Sequence, residues 1–296
     1  MTVDAAQATG DDALALAQPT QLRLRQAMRH NSLRSGVVLV AVIVLLVLCA
    51  PLLTSASPTL QHPAQTFLPP SFAHLMGTDS FGRDMFSRVL YGGRYTLGAS
   101  IAVVLIGGTI GTSLGLIAGF FGGIIGFAIM RFVDLLLAFP GILLALTVAA
   151  ILGPGLVNGV FAVAAVLVPA YARVVEGATV EARHLHYVDA AVGLGAGSWH
   201  IVRRHILPSV RSSIIVMTTS WLGIAALWIA ALGFIGLGVQ PPTPEWGALL
   251  SDGQNYLVLA WWVSVFPGIF LALFVVGVNL IGDGLRDELD PALNSR

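Results

Sequence analysis

Leu105-Ile106-Gly107-Gly108-Thr109-Ile110-Gly111-Thr112-Ser113-Leu114-Gly115-Leu116-Ile117-Ala118-Gly119-Phe120-Phe121-Gly122-Gly123 carries glycine at 107, 111, 115, 119 and 123, every fourth position of an apolar run. Residues four apart share one face of an α-helix, so the stripe predicts a helix whose backbone a neighbouring helix approaches closely, as in membrane bundles. The same residues include Gly111-Thr112-Ser113-Leu114-Gly115, which matches the nucleophile elbow of serine hydrolases. That elbow requires a strand-to-helix turn, and a serine in the middle of an apolar helix has none. No catalytic residue is assigned.

Outward from this stretch the chain keeps the same character. Of its 296 residues 56% are hydrophobic and only 10% charged, against roughly 25% charged in an average soluble domain. About 20 apolar residues span the hydrocarbon core of a bilayer, and six runs qualify, near 35–55, 95–119, 126–152, 156–172, 212–239 and 260–282. The predicted fold is all-α, a polytopic membrane protein with six transmembrane helices. The apolar run from Ser35 to Thr54 is longer than the core of a cleavable signal, and Leu48 is too large for a cleavage position, so this run is expected to remain as the first span. The lone Cys49 within it excludes an intrachain disulfide.

Every basic residue other than histidine is arginine, and fifteen acids balance fifteen arginines. With six alternating spans, Arg23, Arg25, Arg29, Arg34, Arg173, Arg183, Arg203, Arg204, Arg211, Arg286 and Arg296 share one side. Arg83, Arg88 and Arg94 lie opposite, and Arg131 falls within a span. Loops retained in the cytoplasm carry the basic excess, so both termini and the loop at 173–211 are predicted to be cytoplasmic. The predicted organisation is a cytoplasmic tail at 1–34, flexible over its first 20 residues, and a first transmembrane helix at 35–55. An extracytoplasmic loop at 56–94, a core at 95–282 with five further transmembrane helices, and a cytoplasmic tail at 283–296 follow.

Within the extracytoplasmic loop, His74 to Asp84 leads into Phe81, Met85 and Val89 at helical spacing. A short surface helix is predicted there, capped by Asp79, braced by Asp84 and Arg88, and ended by Gly92-Gly93. In the third span Arg131 and Asp134 share a face and are expected to pair. Too few other ionisable groups lie in the spans for a proton relay, which argues against a proton-coupled carrier or channel. An intramembrane enzyme lacks an assembled nucleophile, base and oxyanion site. His184, His186, His200 and His205 crowd the 173–211 loop without metal-ligand spacing, and they are read as solvated helix positions; no metal or cofactor is expected. Trp221, Trp228, Trp261 and Trp262 are read as interfacial anchors.

The same loop contains Tyr187-Val188-Asp189-Ala190-Ala191-Val192-Gly193-Leu194-Gly195-Ala196-Gly197-Ser198-Trp199-His200-Ile201-Val202-Arg203-Arg204-His205-Ile206-Leu207-Pro208. It reads as helix, glycine break, helix. Gly195 is placed to take a left-handed conformation, Ser198 to cap the second helix, and Pro208 to limit its continuation. A compact helical bracket of this kind is a docking surface.

Asp189-Ala190-Ala191, Leu194-Gly195 and His205-Ile206-Leu207-Pro208 at these intervals resemble the cytoplasmic coupling loop of bacterial binding-protein-dependent ABC permeases, where glutamate usually precedes the alanines. Four further segments narrow the resemblance to the C-type permease of dipeptide, oligopeptide and nickel importers. These are Gly77-Thr78-Asp79 with Gly82-Arg83-Asp84, Ala138-Phe139-Pro140, Gly236 to Pro242, and Gly282 to Asp287. The resemblance spans about residues 35–291. It implies a multi-pass protein of the inner membrane with a second homologous permease subunit, two cytoplasmic ABC ATPase subunits, an extracytoplasmic substrate-binding protein and membrane lipid as partners, and no nucleic acid. It further implies that Asp189, Ala190, Ala191, Leu194, Gly195, Ser198, Ile206 and Pro208 couple the permease to its ATPase. A chain without lysine cannot supply a Walker A loop, so ATP is expected to be hydrolysed elsewhere. The cargo implied is peptide, with nickel or another small solute as the alternative.

Overall fold

The computed structural model describes residues 31–289; the first thirty residues, with Arg23, Arg25 and Arg29, and the last seven, with Arg296, lie outside it. Nine helices of eight residues or more follow in order among the described residues: α1 Asn31–Leu48, α2 Met85–Phe121, α3 Gly123–Leu137, α4 Gly141–Leu152, α5 Leu156–Arg183, α6 His186–Gly193, α7 Ser198–Phe234, α8 Trp246–Gly253 and α9 Trp262–Leu289. Helices α2, α5, α7 and α9 are long and apolar enough to cross a membrane. Helices α3 and α4 qualify together as one span bent by 92°, and α1 supplies a shorter apolar helix, Ser32–Leu48. The third span is therefore broken, where a single helix over 126–152 is expected. The break falls at Ala138-Phe139-Pro140, because the proline ring disfavours helical backbone in the residue before it.

Helix α2 meets α5 through the glycine stripe. A methyl on Gly107 would lie 3.1 Å from the Ala164 carbonyl oxygen, on Gly111 2.5 Å from that of Val168, on Gly115 2.7 Å from that of Ala172, and on Gly119 2.8 Å from that of Glu176. Both helices advance four residues at each step in the same chain direction, so the chain between them must return across the bundle, which α3 and α4 do together. Gly123 is not part of the stripe. It opens α3 with a φ of +52°, and a methyl added to it would meet nothing within 4 Å, because α2 has already ended at Phe121.

Contacts elsewhere run antiparallel. Gly36 and Leu33 of α1 meet Gly277 and Gly284 of α9; Gly223 of α7 meets Val275 and Asn279 of α9, while Thr219 meets Gly282. The Tyr171 hydroxyl of α5 donates to Thr218 of α7 at 3.2 Å, and Gly159 lies against Leu232. The directions alternate from α1 through α2, the α3–α4 pair, α5 and α7 to α9; four of these helices, or five spans with the bent pair, are long and apolar enough to cross a membrane, and α1 is shorter.

No separate surface helix precedes α2. Residues 74–84 form a loop, Asp84 rather than Asp79 caps α2 by accepting the Ser87 N–H at 2.8 Å, and the helix runs through Gly92-Gly93. Those two glycines lie in its interior because Trp246 and Val47 press on Gly93 and the Glu245 backbone approaches Gly92. Asp84 does not pair with Arg88; its other oxygen lies 2.9 Å from His74 Nδ1. Asp79 instead centres a buried ionic cluster. It accepts the backbone N–H groups of Phe81 and Arg83, pairs with Arg83 Nε at 2.6 Å and with Arg88 Nε at 3.3 Å, while Arg88 Nη2 reaches Asp252 of α8 at 3.2 Å. Helix α2, at about 55 Å for 37 residues, is far longer than the hydrocarbon core, so these charges need not enter it. Of the tryptophans read as anchors, Trp262 is buried and donates its indole N–H to the Thr78 carbonyl at 3.0 Å, and Trp221 and Trp228 stack edge to face.

Replacing Gly115 by leucine is expected to destabilise the protein by at least the 1–3 kcal/mol typical of overpacking, whereas Gly98→Leu, at a site with nothing within 4 Å, should be nearly neutral. Thermal unfolding of the two variants in detergent checks the contrast; equal midpoints would dismiss the α2–α5 contact as described.

Candidate functional site

Helix α5 continues past its apolar stretch to Arg183, whose guanidinium donates to the Phe120 carbonyl at the end of α2 at 2.9 Å. Cations stabilise helix C-termini, so this bond fastens the two parallel helices where α6 begins. Helix α6 ends as the glycine break predicts. Gly195 has a φ of +78°, its N–H donates to the Val192 carbonyl at 2.9 Å, and the Ala196 N–H donates to the Ala191 carbonyl at 3.0 Å. These bonds form a Schellman termination, which glycine fits without a side-chain penalty.

Two details depart from expectation. Gly197 occupies the cap position of α7 without a side-chain bond, and Ser198 is the first helical residue. Pro208 does not stop α7, which runs to Phe234. Proline removes one N–H and crowds the carbonyl four residues back; here Val202–Ile206 widens into a π-helical turn, with the Leu207 N–H donating to the Val202 carbonyl. The π turn also sets which side chains face inward. Ile201, Ile206, Val210 and Ile214 are spaced five, four and four, and the five-residue step matches the wide turn, so all four join one apolar cluster.

That cluster ties the bracket to three spans. Val188 of α6 and Ile201, Ile206 and Val210 of α7 pack with Ala178 and Ala182 of α5 and Leu116 and Phe120 of α2. A polar brace adds to it. The Ser209 hydroxyl donates to the His205 carbonyl at 2.9 Å, leaving its oxygen to accept from the Tyr187 hydroxyl at 2.6 Å. Spacing alone did not single out Val188, Ile201, Tyr187 or Ser209; the five-four-four apolar rhythm is the signal that finds Ile201.

The structure divides the eight residues assigned to coupling. Ile206 is fully buried and Ala191 partly so, whereas Asp189, Ala190, Leu194, Gly195, Ser198 and Pro208 are exposed. Leu194 is 89% and Trp199 74% exposed, with Val192, Tyr187 and Leu185 also open. Asp189 stands in the first turn of α6 with no ion pair among the described residues. The bracket thus presents an apolar ridge and a free carboxylate on a rigid base. His184, His186 and His200 are exposed and His205 partly so. Nearby, Asp134 pairs with Arg173 of α5 instead of Arg131, since α3 lies against α5, and Arg131 covers the Phe127 ring at 4.8 Å.

Residues 111–295 match the family of binding-protein-dependent transport system inner membrane components. The chain is 50% identical to a glutathione transport system permease protein, GsiD, of Pectobacterium atrosepticum over 76% of this chain and 75% of that one. It is 41% identical to the dipeptide transport system permease protein DppC of Alkalihalophilus pseudofirmus over 96% and 94%, and 42% identical to the probable D,D-dipeptide transport system permease protein DdpC of Escherichia coli over 87% and 86%. A solved structure of the MetNI methionine ABC transporter in an inward-facing form shares the fold, with a TM-score of 0.57 at 22% identity over 70% of this chain and 98% of that chain.

Ile206→Ala is expected to cost about 2–5 kcal/mol, as for other buried aliphatic truncations, and to loosen α6 first, while Leu194→Ala stays within about 0.5 kcal/mol of the parent. Hydrogen exchange over residues 186–197 reads both; comparable protection in the two variants would show that the cluster does not hold the bracket.

Proposed function

The chain belongs to the inner membrane components of binding-protein-dependent transport systems, and from that premise we propose that it is the permease subunit through which an ATP-driven importer passes short peptides. The observation that carries this reading is the bracket: an exposed apolar ridge at Val192, Leu194 and Trp199 standing on a buried cluster shared with α2, α5 and α7. Such a ridge is costly to leave in water and suits a protein partner.

In this reading two ATPase subunits serve the transporter, one seated on this bracket, and a second, related permease completes the pathway. A binding protein delivers cargo at the opposite end. Both termini and the bracket lie in the cytoplasm, a sidedness supported by the arginine asymmetry and by the alternating directions of the long helices. Nucleotide-driven closure of the ATPases pushes the bracket as one body, and the shared cluster passes that displacement to three spans. Asp189 offers its carboxylate to a cationic or backbone donor of the ATPase, one methylene shorter than the glutamate usual at this position. The cargo assignment is supported by the relatives named for glutathione, itself a modified tripeptide, and for dipeptides.

Gly195→Trp combines a bulky exposed side chain with a backbone conformation that costs roughly 1–2 kcal/mol outside glycine. In the complex reconstituted in vesicles it is expected to abolish co-elution of the ATPase and uptake while the spans stay inserted; full co-elution with full uptake would refute the coupling role. Stimulation of ATP hydrolysis by nickel chelates and not by dipeptides would overturn the cargo and leave the permease reading intact. For sidedness, phosphatase fusions after residues 65 and 247 should be active and one after residue 200 silent; the reverse pattern inverts the topology.

A further inference from the structure

Glu245 is 1% exposed and lies between α7 and α8, outside the spanning helices. It caps α8. Oε2 accepts the Ala248 N–H at 3.0 Å, and Oε1 accepts the hydroxyl of Thr96 on α2 at 2.7 Å. Thr96 Oγ1 in turn accepts the Trp246 N–H at 3.2 Å and lies 3.5 Å from the Gly92 carbonyl.

No ion pair reaches this carboxyl among the described residues. Helix α7 has no ionisable residue after Arg211, α5 none before Tyr171, and α9 none before Asp283. On α2, Arg94 donates to the Val47 and Leu48 carbonyls and covers Tyr91, Tyr95 is exposed, and Arg88 serves Asp79 and Asp252. Asp252, the other acid of α8, is held by Arg88 and Arg83. Burial pushes the Glu245 carboxyl above the ordinary glutamate range, only partly offset by its hydrogen bonds.

The surroundings make this carboxyl the centre of a joint. A methyl on Gly233 would collide with Glu245 Oε2, and one on Gly247 with the Ala230 carbonyl, so the start of α8 rests on the backbone of the last turns of α7. On the remaining side Leu156, Gly159, Ile229, Leu232 and Val239 form an apolar void without room for a water. Parting α8 from α7 therefore has to admit water to Glu245.

We propose that Glu245 is a proton-operated latch of this joint, binding a proton as α8 seats against α7 and α2 and returning it to water as the joint parts. Thr96 serves both states. It donates to the ionised carboxylate, and it accepts from the protonated carboxyl while turning its own hydrogen toward the Gly92 carbonyl. The seated state has the higher proton affinity, so acid favours seating and rising pH favours parting. The window runs from the ordinary glutamate value to the raised one, and within it the equilibrium moves by up to about tenfold per pH unit. This inference does not depend on the cargo or on the ATPase contact.

The test follows hydrogen exchange of residues 245–253 in the lipid-embedded complex from acid to alkaline pH, corrected for intrinsic exchange, with infrared difference spectra of the carboxylic-acid C=O band. The parent should lose protection as pH rises, by up to tenfold per unit, and show the acid band. E245Q, a neutral isostere, should stay protected throughout and lack the band, and D252N, which loosens α8 by removing a partner of Arg88, should keep the parent's dependence on pH at a lower overall protection. T96V removes the acceptor that the protonated carboxyl uses while α8 is seated and should move the transition to lower pH, which keeps the idea testable if E245Q does not assemble. A transition that persists in E245Q, disappears in D252N or fails to move in T96V overturns the latch.

Discussion

The approach of α2 to α5 is the contact on which the bundle depends. Lipid tails are as apolar as leucine, so helices in a membrane gain little by merely hiding apolar side chains and associate through close contact instead. The four glycines from Gly107 to Gly119 let the two backbones meet over successive turns. Because these helices run in the same direction, the segment between them must cross back, and it does so as a broken pair. Gly126 of α3 sits against the Ala118 carbonyl of α2, extending the close packing to the first half of that return before Pro140 turns the chain away.

The two ends of the bundle are fastened by different chemistry. At one end the buried, directional ion pairs of Asp79 with Arg83 and Arg88 are carried on to the exposed Asp252 and join the start of α2 to α8. Removing one of the buried three, Asp79, Arg83 or Arg88, leaves an uncompensated charge and costs about 3–5 kcal/mol. At the other end the bracket rests mainly on an apolar cluster, whose attraction is non-directional. A fixed anchor suits the first chemistry, and a part that shifts against its neighbours suits the second.

Much of this was legible in the residues. The six apolar runs all became helices, four of them long enough to cross alone and one as a bent pair, the stripe from Gly107 to Gly119 gave the central contact, and Gly195 gave the termination of α6. Local reading misjudged places where a distant partner decides. Gly92-Gly93 looks like a helix end but is interior because Trp246 and Val47 occupy the space above Gly93. Asp79 looks like a cap and Asp84 like half of an ion pair, yet the cap is Asp84 and the ionic centre is Asp79, since Asp252 lies far along the chain. Asp134 chose Arg173 over Arg131 for the same reason. Gly277 and Gly284, which admit α1, carried no stripe to mark them.

The wide turn at Val202–Ile206 has a consequence for helical phase. An α-helix advances about 100° per residue, so the one extra residue of a π turn rotates everything beyond it relative to what precedes it. The bracket and the membrane portion of α7 therefore carry separate rotational settings within one continuous helix. Shortening this turn by one residue, together with replacement of Pro208, would still leave Ile201 and Ile206 facing inward, whereas the same deletion anywhere else in α7 would turn its lipid face toward the core.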